Sequence, residues 1–62
     1  MTIKELLLVF DPDTEVIIYK ESTSEPYKGD AWYLLADLVD KPDMKVISAA
    51  VHDENTIEVM CK

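Results

Sequence analysis

The chain is 62 residues and 7.1 kDa, with six lysines, no arginine, thirteen Asp or Glu and one His, for a formal charge of −7. That length allows one domain, residues 1–62, whose core is thin because a chain this short buries only roughly 60% of its unfolded surface. The single cysteine, Cys61, excludes an internal disulfide, the acidic balance without arginine argues against direct contact with nucleic acid or anionic membrane, and a hydrophobic share of 48% argues against disorder.

The first element is marked by Thr2-Ile3-Lys4-Glu5, which has the spacing of a capping box. Ile3, Leu6, Leu7 and Phe10 follow at helical intervals, and Pro12 stops the run. This predicts about two turns of helix, too short to be stable alone.

Thr14 to Glu21 is rich in β-branched and aromatic residues and reads as a strand. Val16 and Ile18 share one face, and Ile17 and Tyr19 the other. A strand apolar on both faces is covered twice, or covered on one side by a partner chain. The polar segment Ser22-Thr23-Ser24-Glu25-Pro26 leads to a short second strand around Tyr27-Lys28, and the two strands are expected to form a hairpin.

Gly29-Asp30 resets the backbone, with Asp30 as N-cap of a second helix from Ala31 to about Val39. Its buried stripe is Ala31, Leu34, Leu35 and Leu38. Tyr33, Asp37 and Asp40 lie roughly opposite, and Lys41-Pro42-Asp43 closes it.

Met44 to His52 and Thr56 to Lys62 are then two strands, joined by Asp53-Glu54-Asn55, where Asn55 is suited to a left-handed turn position. The small residues Ser48, Ala49 and Ala50 leave room for a helix to approach. The expected fold is α+β in the order helix, strand, strand, helix, strand, strand, with an antiparallel sheet and both helices on one face.

Asp11-Pro12-Asp13-Thr14-Glu15 opens like a calcium loop, but Val16 stands where that loop needs Gly and Ser22 where it needs Glu. A solvated turn is the better reading. His52 and Cys61 are one of each kind, too few for zinc, and the hairpin separates them. Cys61 reads as an inward-facing small hydrophobe and His52 as a strand-end residue.

Acid–base pairs can be drawn from thirteen carboxylates in many ways, none distinctive, and so small a unit hardly encloses a cleft. With one glycine there is no phosphate loop. A non-enzymatic protein without cofactor or metal is expected. The lone thiol favours a reducing compartment, and the longest apolar stretch, Leu6 to Phe10, falls far short of the ~20 residues of a membrane span. The expected location is the cytoplasm.

The feature that exceeds the ordinary is the acidic surface: Glu25 and Asp30 flank the second helix, Tyr33, Asp37 and Asp40 line it, Asp43 follows it, and Asp53, Glu54 and Glu58 mark the last hairpin. Asp30, Trp32, Tyr33, Asp37, Asp40 and Asp43 are the expected partner-binding residues, since buried aromatic anchors dominate many interfaces and carboxylates steer basic partners.

Thr2-Ile3-Lys4-Glu5-Leu6-Leu7, Asp13 to Tyr19, Tyr27-Lys28-Gly29-Asp30, Val46-Ile47-Ser48 and Asn55 to Val59 together resemble small acidic proteins of phages, prophages and other mobile elements of Gram-positive bacteria. Anti-CRISPR and other anti-defence proteins are similar in size and charge, and several such families mimic nucleic acid. The resemblance implies inhibition of a basic nucleic-acid-binding protein, such as a CRISPR effector, by binding. The competing expectation is a homodimeric structural or regulatory module, prompted by the doubly apolar Val16-Ile17-Ile18-Tyr19 strand.

Overall fold

The computed structural model describes residues 1–21 and 24–62. Its elements are α1 (Ile3–Val9), β1 (Glu15–Lys20), β2 (Tyr27–Asp30), α2 (Ala31–Leu38), β3 (Val46–Asp53) and β4 (Thr56–Cys61). The order matches the expectation, with boundaries moved by one or two residues. Ser22 and Thr23, part of the predicted polar loop and of the calcium-loop comparison, lie outside the described residues.

The capping box at the head of α1 is present. Thr2 Oγ1 accepts from the Glu5 amide at 3.3 Å, and Glu5 Oε1 accepts from the Thr2 amide at 3.0 Å. So short a helix needs docking as well. The Ile3 amide donates to the Met44 carbonyl at 2.8 Å, and Asp43 Oδ1 accepts from the Lys4 and Met44 amides at 3.4 and 3.0 Å. At the other junction Asp30 is both the last residue of β2 and the N-cap of α2, its carboxylate accepting from the Tyr33 amide at 2.8 Å.

The sheet has strand order β2-β1-β4-β3. The β1–β2 and β3–β4 pairs are antiparallel, as expected of hairpins, but β1 and β4 run parallel, so the sheet is mixed rather than antiparallel throughout. The cause lies in α2. Eight helical residues rise about 12 Å, close to the length of four strand residues at ~3.3 Å each. The helix therefore carries the chain back along β2, so that β3 sets out in the same direction as β2 and β4 in the same direction as β1.

One face of the sheet builds the core. Val16 and Ile18 of β1 and Val59 and Cys61 of β4 are buried together with Ile3 and Leu7 of α1, Ala31, Leu34 and Leu38 of α2, and Met44. Both helices thus cover the same side. Each fully buried Ile or Leu contributes roughly 1.5–3 kcal/mol, and this single layer holds the domain. Ile17 is only half-buried and Tyr19 and Met60 are exposed on the opposite, bare face.

Two local expectations are corrected. Ser48, Ala49 and Ala50 do not receive a helix: they are exposed on β3, an edge strand beyond the reach of α2. Asn55 is not left-handed, since among the described residues positive φ occurs at Gly29 alone. The β3–β4 turn instead keeps ordinary backbone angles and is tied by the Asn55 amide donating to Asp53 Oδ1 at 3.1 Å.

Candidate functional site

The strand register sorts the charges. Glu15 pairs with Asp30 on one side and Thr56 on the other, and Thr56 pairs with Asp53. Four strand ends carrying Glu15, Asp30 and Asp53 therefore lie side by side, with Glu54 in the adjoining turn. The α1–β1 turn joins the same end: Trp32 and Ala31 donate their amides to the Pro12 and Thr14 carbonyls at 3.1 and 2.9 Å, and the Glu15 amide donates to Asn55 at 3.0 Å. This brings in Asp11 and Asp13. Six carboxylates, from Asp11, Asp13, Glu15, Asp30, Asp53 and Glu54, gather at one end of the molecule.

Five of the six lysines gather at the other. Lys20 pairs with Cys61, and Cys61 with Val46, which follows Lys45; the Lys62 amide donates to the Lys45 carbonyl at 2.9 Å. Lys4 Nζ donates to the Lys41 carbonyl at 2.9 Å, which places both residues there too. Lys28, opposite Ile17, stands two positions in from Asp30. The seven remaining carboxylates are balanced against six lysines, so nearly the whole net charge of −7 resides at the acidic end.

That end has an apolar anchor. Trp32 is 69% exposed at the first turn of α2, beside a shallow apolar depression lined by Leu7, Leu8, Phe10, Pro12 and Leu35. Neither this depression nor a second one, between α1 and β3, is lined by an acid, a base or a nucleophile. Among the described residues no three His, Cys, Asp or Glu converge as metal ligands, and no helix is long and apolar enough to cross a membrane.

The expected site residues divide between the two ends. Asp30 and Trp32 belong to the acidic end. Tyr33 is 57% exposed but leans its ring on Gly29. Asp37 lies 3.5 Å from Lys41 Nζ, and Lys41 in turn sits 5.7 Å from the centre of the Tyr27 ring. Asp43 is occupied at the head of α1. Asp37, Asp40 and Asp43 thus stand among lysines, and α2 does not present one uniform acidic face.

Asp53 and Glu54 are expected in the acidic surface of the last hairpin, but nothing local in the sequence joins them to Asp11, Asp13 and Glu15, which read there only as a solvated turn. The signal was present in the chain: each strand junction on this side carries an acid, while Lys20, Lys45 and Lys62 mark the opposite junctions. Only the parallel register of β1 and β4 brings those junctions together.

Two carboxyls are held below their ordinary pKa, Asp53 chiefly by the Asn55 amide and Glu5 chiefly by the Thr2 amide. Burial pushes the Cys61 thiol up, with the negative charge of Asp43 adding to it. His52 Nδ1 lies 2.9 Å from Glu58 Oε1 at the far end of the hairpin from Cys61, so the two soft ligands stay apart. Comparison with protein-family models, curated proteins and solved structures finds no match to this chain.

Proposed function

We propose that this protein is a non-enzymatic acidic binding protein that obstructs a nucleic-acid-binding protein of a host-defence system, in the manner of anti-CRISPR-like inhibitors. It offers its acidic end to the basic surface that would hold phosphates. The observation that carries this reading is the polarity of the charge: six carboxylates at one end, held on strand ends and turns, with exposed Trp32 beside them.

The supporting physics is a matter of spacing and field. Adjacent strands lie about 4.8 Å apart, of the same order as the roughly 3.4 Å axial repeat of phosphates on one strand of duplex DNA. Carboxylates on such ends form a fixed anionic row without the flexibility of a tail. A field concentrated on one side speeds encounter with a basic cleft by roughly 10–10³-fold, and an aromatic anchor amid polar groups gives the contact its apolar centre. The resemblance to acidic mobile-element proteins points to the same partner class.

Trp32 is the single tryptophan, so intrinsic fluorescence reports the proposed contact directly. Titration with a purified CRISPR effector should change its emission, and the effector's own nucleic acid should compete. Reversing Asp11 and Asp13 to Lys should weaken binding at least tenfold, about 1.4 kcal/mol, with the circular dichroism unchanged. Binding indifferent both to those reversals and to nucleic acid would refute the reading.

A further inference from the structure

The two edges of the sheet are unlike. β2 is four residues long and carries Lys28, Gly29 and Asp30, a short, charged edge of the kind that resists further pairing. β3 is eight residues long, and from Val46 to Val51 it has no charge and no proline. Ile47 to Asp53 are all exposed, Ile47 by 57% and Val51 by 76%. Pairing with β4 occupies one side of β3; on the other side the N-terminal residues take its first positions, the Val46 amide donating to the Met1 carbonyl at 2.9 Å and Thr2 bridging Lys45, and from Ile47 onward the alternate outward amides and carbonyls have no strand partner among the described residues. Leu6 and Phe10 of α1 do not close over it, and a shallow apolar groove runs between them and Ala49, Val51 and Ile57.

A second copy of the chain fits this edge. When a strand pairs antiparallel with itself about a two-fold axis, paired residues must point to the same face, so the axis passes through a residue. Through Ala49, the axis sets Ile47 against the partner's Val51 and Ser48 against the partner's Ala50, each pair occurring twice. Moving the axis to Ser48 draws in Val46, whose amide is already bonded to Met1, and moving it to Ala50 carries the pairing past the second bulge to Asp53. The β-bulges between Val46 and Ser48 and between Val51 and Asp53 bound the pairing segment, because a bulge turns an edge away from further pairing.

The charge polarity favours the same arrangement. β3 runs from the lysine-bearing end to the acidic end, so antiparallel pairing lays the acidic end of each copy beside the lysine-bearing end of the other. Two bodies of the same net charge then meet through opposite local charges. We propose that β3 pairs antiparallel with β3 of a second copy about Ala49, giving one continuous eight-stranded sheet with all four helices on the same side. Asp11, Asp13, Glu15, Asp30 and Trp32, carried by the β1, β2 and α2 side, stay accessible, so the association stands apart from the function proposed above.

Sedimentation equilibrium and site-directed cross-linking test this. The intact chain should show a concentration-dependent doubling of mass that weakens in high salt. Ala49→Cys should form a covalent dimer on mild oxidation, since directly opposed residues of antiparallel strands stand about 4.5–5.5 Å apart at Cα, inside the disulfide range; buried Cys61 does not compete. Tyr19→Cys, on the bare face, should stay uncross-linked. Ala49→Lys puts like charges opposite one another and should raise the dissociation constant about tenfold or more, with circular dichroism reporting that the fold persists. A chain that is monomeric up to about 1 mM, or a dimer that cross-links through Tyr19→Cys and not Ala49→Cys, would overturn the proposal.

Discussion

The ring of Tyr33 lies across the α-carbon of Gly29, so closely that a methyl group there would stand 2.6 Å from Tyr33 Cδ2. The contact belongs to the β2–α2 junction, where a strand passes into a helix with no intervening loop. Gly29 has φ +157°, a backbone conformation that side-chain-bearing residues rarely adopt.

Gly29→Ala should therefore lower stability by about 1–3 kcal/mol, read as a shift in the urea midpoint. Tyr33→Ala in the Gly29→Ala background should recover the part that comes from the ring and leave the part that comes from the backbone. Equal stability of Gly29→Ala and the native chain would show that the ring swings aside freely.

Thr2→Ala removes the acceptor for the Glu5 amide and should cost about 1 kcal/mol. The Glu5 carboxyl, lowered by its bond to the Thr2 amide, gives this cap a pH signature. A carboxyl lowered in the folded state contributes stability that is present above its unfolded pKa of about 4.3 and lost as pH falls through the folded value. The stability gap between the native chain and Glu5→Gln should be open at neutral pH and narrow in acid; a gap independent of pH would assign the effect to shape alone.

Adjacent isoleucines on β1 should behave oppositely. Ile18 is fully buried in the core, whereas Ile17 is half-buried on the bare face. Ile18→Ala should cost about 2–5 kcal/mol, enough to unfold a domain of this size at ordinary temperature. Ile17→Ala should leave the chain folded, and thermal melts of the two variants distinguish them.

The Cys61 thiol is fully buried and its pKa is raised by that burial. Reaction with a thiol reagent at neutral pH should be slow in the native protein and become rapid only when denaturant opens the sheet. The labelling rate should follow unfolding, and fast labelling without denaturant would place β4 in a frayed state.

Much of this molecule is legible along the chain because its signals are local. Thr2 and Glu5 announce α1 at cap spacing, Asp30 announces α2, and the alternation that puts Cys61 inward marks the buried face of β4, whereas β1 is apolar on both faces, so that only the structure shows Val16 and Ile18 buried and the Ile17 and Tyr19 face bare. What stayed illegible depends on pairing across distance. Hairpin logic gives β1–β2 and β3–β4 but is silent on how the two hairpins join, and the join decides both the parallel register and the gathering of Asp13, Glu15, Asp53 and Glu54. The same gap explains Ser48, Ala49 and Ala50: small residues suit a close helix and an open edge equally, and only the strand order distinguishes them. The expected binding face on α2 treated one helix as the unit of charge, whereas the unit is the end of a sheet, to which α2 contributes Asp30 and Trp32.

The parallel β1–β4 pairing also governs how the chain reaches this state. Glu15 meets Thr56 across 41 positions of sequence, and β4, the last strand in order, occupies the middle of the sheet. Both hairpins can close early, yet neither has a core until they meet, so the rate-limiting event is a long-range search. The molecule should fold more slowly than its size implies, in one cooperative step and with no stable half.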